Sequence, residues 1–287
     1  AGGSKAGLQG LAAYSELRYE ANNLAVWWSE AVVTKRYSPE MGFVARQDVV
    51  STTPGFYLIQ RGKAWMPRWL RSFEPGISNE FYHQASTGRL LESSNRFFPF
   101  DGILENGGLL RFYINRVYQA LDQPFEPVGI RIAPGQYTYY TYNLINNSDA
   151  SRRFSYQAQL TTGGYYNGRL HSLALTSKWA PSPHFFLLPT YSLDAFERVG
   201  TEQVSRRVAL YGLESRVALN PRVQLSGFYQ RNTSDDSQNL NLRFSWEYQP
   251  LSFLFLVFNE QGYAGLNPRE QVTERGLIGK ISFLKQF

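Results

Sequence analysis

Between Asn239 and Tyr248 the chain alternates without interruption. Leu240, Leu242, Phe244, Trp246 and Tyr248 fall on one face, and Asn239, Asn241, Arg243, Ser245 and Glu247 on the other. A period of two belongs to an extended strand, here with one apolar and one polar face. Two architectures use such a strand. In a soluble sandwich the apolar face packs into a core; in an outer-membrane barrel it meets lipid, and the polar face lines the lumen.

The same alternation recurs along the chain, broken by Gly, Pro, Asn, Asp and Ser clusters. Leu11–Tyr19 alternates weakly, and Asn22-Asn23 turns it into Leu24–Arg36. Phe43–Ser51 and Phe56–Arg61 are split by Thr53-Pro54-Gly55 and followed by an irregular, bulky stretch, Gly62–Trp69. Arg71–Ala85 and Arg89–Leu104 flank Ser86-Thr87-Gly88, and Pro75-Gly76 marks a bulge or a late strand start. Leu110, Phe112 and Ile114 oppose Arg111, Tyr113 and Asn115. The stretch from Asp122 to Gly135 holds Pro124, Pro127 and Pro134, which rules out a central strand. It reads as an external loop that can fold inward. Phe154, Tyr156, Ala158 and Leu160 alternate with Arg153, Ser155, Gln157, Gln159 and Thr161, and comparable strands follow to the end.

Connections fall into two alternating kinds. Ala180-Pro181-Ser182-Pro183, Asn220-Pro221 and Gln249-Pro250-Leu251-Ser252 are short and carry proline. Gly163–Gly168, Asp194–Gln203, Asn232–Gln238 and Gln261–Glu274 are polar and mostly longer. Short turns on one rim and longer loops on the other describe a bacterial outer-membrane barrel. Leu277, Gly279, Ile281, Phe283 and Phe287 then share a face, with Lys285 as the exception. A last alternating strand closing on Phe resembles the signal read by barrel-insertion machinery, with Ile281, Phe283 and Phe287 as its carriers. The expected fold is therefore all-β, a transmembrane antiparallel barrel of the outer membrane with about sixteen strands, both termini periplasmic. Fourteen is the alternative, if Phe43–Arg61 is one bent strand and the N-terminal segment lies outside the wall. Residues 1–287 form one domain.

Composition fits this reading. Aromatics make up 16% of the chain, with 19 Tyr and 20 Phe, as interfacial girdles require. Trp179, Trp246, Tyr248 and Phe287 are the expected interface residues. Mean hydropathy is −0.36, because half of every strand is polar, and no window nears the roughly 18–20 apolar residues of a membrane helix. Cysteine is absent, which removes disulfides and thiol chemistry. The N-terminal residues show no secretory signal, so the chain reads as mature or trimmed. The +6 charge is scattered rather than clustered, so a nucleic-acid partner is not expected. Lipid and lipopolysaccharide, the insertion machinery and other outer-membrane or periplasmic subunits are the expected partners.

Several stretches resemble one family. They are Met41-Gly42-Phe43-Val44-Ala45-Arg46, the Pro124–Tyr137 stretch with Pro134-Gly135-Gln136-Tyr137, Asn220–Ser226, and above all Asn239–Pro250 followed by Leu256-Val257-Phe258-Asn259-Glu260. The family is the C-terminal barrel region of large Bacteroidota-type proteins filed as domain of unknown function 5916. The resemblance covers most of the chain and is strongest after about residue 205. It implies location and fold more than activity, and it implies an N-terminal sandwich, similar to family-9 carbohydrate-binding modules, that this chain lacks.

No catalytic constellation can be assembled. His83, His171 and His184 lack metal-ligand spacing, and no Gly-x-Ser-x-Gly, Walker or dinucleotide motif occurs. Asp235-Asp236 is a weak Ca²⁺ candidate and Asp194 with Glu197 a weak hydrolytic pair. Trp65, Trp69 and Phe73, with Arg68 and Arg71, read as an interface girdle before a sugar platform. Trp27 and Trp28 must split between faces. No metal or cofactor is expected, and the chain is not expected to be an enzyme. Arg111, Arg153, Gln157, Gln159, Asn239, Asn241, Arg243 and Glu247 are the expected lumen-lining residues, and a porin-like or plug-gated conduit for polar solutes, glycans among them, is the expected function. The alternative, a non-conducting anchor or subunit of an outer-membrane complex, needs the same residue types.

Overall fold

The computed structural model describes residues 10–38, 44, 46–263 and 272–284. It is all-β, an antiparallel sheet of seventeen strand segments. In chain order these are β1 (Ala12–Glu20), β2 (Leu24–Val33), β3 (Val49–Leu58), β4 (Gln60–Arg61), β5 (Leu70–Phe73), β6 (Gly76–Gln84), β7 (Leu90–Leu104), β8 (Leu109–Leu121) and β9 (Gly135–Asn147). Then come β10 (Phe154–Tyr165), β11 (Gly168–Ser182), β12 (Phe185–Val199), β13 (Val204–Asn220), β14 (Val223–Asn232), β15 (Ser237–Gln249), β16 (Ser252–Tyr263) and β17 (Val272–Ser282). Successive rows pair antiparallel with their neighbours in the chain, as in a meander.

Two pairs of segments are single bent rows. Only Ile59 separates β3 from β4, and only Glu74-Pro75 separates β5 from β6, while β3 pairs β6 and β4 pairs β5. Among the described residues the wall therefore has fifteen rows, one fewer than the expected sixteen. Thr53-Pro54-Gly55 reads as a break in sequence, yet β3 runs through it. The β3–β6 ladder simply skips Thr53 and Pro54, while Pro54 stays paired to Trp28. The missing N–H is accommodated on one side only. The N-terminal segment, β1, stands in the wall rather than outside it.

Parity of the registers assigns every side chain to a face. Leu242 opposes Gly227 and Phe258, and Leu225 opposes Phe244 and Val217. These apolar residues form an outer band, and Leu213, Leu225, Leu242 and Leu256 within it are exposed. On the other face Asn241 opposes Asn259 and Phe228, and Arg243 opposes Ser226 and Val257. The total accessible surface is 19089 Å², against about 12,500 Å² expected of a compact soluble protein of this mass. A sheet that leaves its leucines uncovered without a second layer is the wall of a transmembrane barrel, its apolar face solvated by lipid.

The short turns 183–184, 221–222 and 250–251 share one rim with the longer 62–69 and 148–153; 34–48, 122–134 and 233–236 share the other with the two-residue 166–167, so loop length segregates by rim less cleanly than the sequence predicts. With fifteen rows, β1 begins at the long-loop rim and β17 ends at the short-turn rim. Among the described residues no pairing joins β1 to β17, and all nine residues of β1 are exposed.

The face assignment has a direct consequence. Leu242→Lys on the outer face should cost about 2–4 kcal/mol if it lies at the bilayer midplane. The adjacent Asn241→Lys points into the lumen and should cost under about 1 kcal/mol. Urea unfolding of both variants in lipid vesicles measures the difference.

Candidate functional site: the inner wall and its inward loop

The polar face is a continuous inner surface. Gln157 opposes Asn147 and Thr176, and Gln159 opposes Ile145 and Ala174. Both Gln157 and Gln159 are exposed on this face. Asn239 opposes Gln230 and Gln261, and Asn241 hydrogen-bonds Asn259. The Arg243 guanidinium lies 4.7 Å over the Phe255 ring. Arg111 sits against Asp101, Nη2 to Oδ2 at 2.7 Å, with the Asp101 side chain almost wholly covered. Glu247 is taken by its turn, where Oε1 accepts the Leu251 N–H at 3.0 Å. Arg153 lies in the connection just before β10, not in the strand. Among the described residues, no buried side-chain polar atom lacks a hydrogen-bond partner.

The connection 122–134 folds inward. Ile130 and Ile132 are 0% exposed and form a cluster with Tyr166, Phe196 and Val199, joined by Leu121, Tyr137, Leu170 and Val208. The registers put Leu170 opposite Phe196, and Leu121 and Tyr137 on the polar-facing parity, so the cluster stands on the inner wall. This is the largest apolar contact among the described residues, and it holds a loop, not a strand. The loop is rooted between β8 and β9, yet Arg206 of β13 donates Nη1 to the Val128 carbonyl at 2.7 Å and Nη2 to Ser234 at 3.0 Å. Contact across so many rows requires the wall to curl around the loop.

The loop also carries backbone strain. Within its single 3-10 turn, Pro127–Gly129, Val128 has φ +46°, a region that β-branched residues occupy rarely and at a cost of about 1–3 kcal/mol. Gly200 (φ +80°) lets the β12–β13 turn approach so closely that a Cβ there would meet the Arg131 carbonyl at 2.5 Å. The Thr201 N–H bonds that same carbonyl at 2.8 Å. At the loop's start Asp122 receives both guanidinium arms of Arg89, at 2.9 and 2.5 Å. This hydrogen bond holds the Asp122 carboxyl below the usual carboxylate range.

The outer aromatics follow the registers. Trp179 pairs with Phe154, Trp246 with Val223, and the Tyr248 hydroxyl donates to the Ser282 carbonyl at 3.0 Å, all near the short-turn rim. Trp65 and Trp69 are exposed in the connection between β4 and β5, at the same rim, and Trp65 packs edge-on to Phe73. Ile281 and Phe283 are exposed; Phe287 and Lys285 lie outside the described residues, as does most of Met41–Arg46.

Asp194 opposes Ser172 while Glu197 opposes Arg169, three residues apart on one strand, so the two carboxylates point to opposite faces and make no pair. Asp235 accepts the Ser237 N–H, and Asp236 pairs with Arg231. His171 contacts Thr162 and Glu197, His184 contacts the Ala218 carbonyl, and His83 opposes Val50 on the outer face. No group of three metal-ligating side chains occurs among the described residues. The partner Asp101, the inner rings Tyr57 and Phe98, and the anchors Ile130 and Ile132 were not singled out from sequence as inner-wall residues, whereas Tyr113 shares the Arg111 face there and Trp27 is the ring of the Trp27–Trp28 pair that turns inward. Strand parity would have placed the rings; nothing local marks the isoleucines.

No protein-family model matches the chain, and no curated protein matches it in sequence. Among solved structures it is similar to a mutant ferric enterobactin receptor from Pseudomonas aeruginosa in complex with enterobactin. The TM-score is 0.41 at 13% identity, over 94% of this chain; it spans 57% of that receptor's length.

Two outcomes follow for the loop. Arg206→Ala removes two charge-assisted hydrogen bonds, worth about 1.5–3 kcal/mol each, and should raise the rate of proteolytic nicking within 122–134 at least tenfold while leaving the wall's β signal intact. Because the folded Asp122 carboxyl titrates below its unfolded value, its anchoring is fully present above the ordinary carboxylate range and is lost as pH falls through the lower, folded value. Protection of the Phe125 amide, measured against its intrinsic exchange rate at each pH, should therefore fall below about pH 4, and in Asp122→Asn it should be low across the same range.

Proposed function

We propose that this protein is an outer-membrane conduit for polar solutes, gated by the loop 122–134. The observation that carries the reading is the loop itself. A buried apolar clamp on Ile130 and Ile132 holds a strained segment against an inner wall of amides, hydroxyls and paired charges. A polar lumen lets hydrated solutes exchange water for wall hydrogen bonds, and a loop held across it sets the aperture. On this reading the short-turn rim is periplasmic, Ile281, Phe283 and Phe287 serve the insertion machinery, and lipid and lipopolysaccharide surround the outer band. The resemblance to the barrel region of the domain-of-unknown-function 5916 proteins supports the same placement. The reading contains no enzymatic step.

A second reading, a non-conducting anchor within an outer-membrane complex, is favoured by one observation: β1 and β17 present strand edges not paired with each other. Such edges accept strands from other polypeptides.

Planar-bilayer recording of the reconstituted chain separates the two. The conduit predicts discrete ion conductance that rises when Ile130→Asp releases the loop. A barrel that stays silent in both forms, and co-purifies with a partner, favours the anchor.

A further inference from the structure

Four rings lie on the inner wall in succession: Trp27 of β2, Tyr57 of β3, Phe98 of β7 and Tyr113 of β8. Successive centroids are 5.2, 5.5 and 5.1 Å apart. The row between Tyr57 and Phe98 contributes Gly76, which has no side chain to intervene. The Trp27 indole lies directly over Gly55, where any Cβ would overlap it, and the Phe56 carbonyl with one edge of the Tyr57 ring closes over Gly76. Trp27 and Tyr57 are each half-buried, so the pair keeps ring surface open on the inner wall. Their planes are 28° apart with centroids 5.2 Å apart, so the two are offset-stacked and act as one aromatic plate. Phe98 is buried beside it and supports it.

Ion pairs border the plate. Arg96 meets Glu80 at 2.8 Å, and Arg111 meets Asp101 at 2.7 Å while lying 5.6 Å from the Phe98 ring. Paired in this way, the charges offer both donors and acceptors with little net field. An apolar solute would strip water from these pairs without replacing its hydrogen bonds, and a polyanion would meet carboxylates beside each arginine. A sugar ring has a flat C–H face for the plate and a rim of hydroxyls for the pairs. We propose that Trp27 and Tyr57 form a stacking platform for neutral oligosaccharides in the lumen. The proposal rests on the conduit reading for how the sugar arrives, and on the plate's geometry for binding.

Tryptophan fluorescence of the detergent-solubilised full chain, titrated with maltohexaose, cellohexaose and chitohexaose, tests binding without requiring conductance. At least one of these should give a saturable change, weakened tenfold or more by Trp27→Ala and largely restored by Trp27→Phe. Tyr57→Ala is the second variant, read by sugar block of ion current, should uncovering Gly55 prevent folding. A silent barrel that still binds sugar would sink the conduit and keep the platform. A conducting barrel that binds none of the three, binds only an oligogalacturonate of the same length, or binds equally well as Trp27→Ala would overturn the platform.

Discussion

The arrangement depends on one constraint: a single antiparallel wall has two faces and no second layer, so each face must find its own solvent. Because side chains alternate strictly along a strand, a slip of one residue would carry every leucine of the outer band into the lumen and every amide into lipid. Leu242 and Asn241 differ by one position and meet opposite environments. Backbone hydrogen bonds between rows leave few polar groups unmet in the wall, and this is what lets the sheet face hydrocarbon. The register thus decides what the protein can touch on either side.

Against that wall, the loop 122–134 is the exception. It brings the largest buried apolar cluster to a place where strands supply polar groups. Leu170, Phe196 and Val208 occupy inner positions that elsewhere hold Ser, Thr and Gln. An apolar patch facing a water-filled lumen would be unfavourable; covered by Ile130 and Ile132 it becomes an anchor. The strain at Val128 opposes that anchor, and Arg206 offsets it by holding the Val128 carbonyl.

How much could be read beforehand follows from the range of each interaction. Strand period and face are local, so the Asn239–Tyr248 pattern gave both, and the Pro75-Gly76 interruption appeared where the β5–β6 row bends. Pro54 misled the strand count, because a proline breaks a ladder only on the side its N–H would serve, and which side that is depends on the neighbouring row. Asp194 and Glu197 lose their pairing by the same local parity that fixed the other faces. The loop's inward fold, and the Arg111–Asp101 pair, join residues whose proximity follows from the pairing of rows. Periodicity gives a face but no partner, so those contacts were not legible.

The odd number of described rows has its own consequence. In an antiparallel meander of fifteen rows the first and last run in the same direction, so their edges match only in the parallel sense, with slanted bonds and slightly less stabilisation per residue. An even count would bring antiparallel edges together and place both chain ends at one rim. Here β1 is exposed on both faces along its whole length, while strands inside the wall such as β7 are mostly half-buried. Among the described residues β1 is therefore the least covered row, and it lies in a different arc from the rows β8–β13 that hold the loop 122–134.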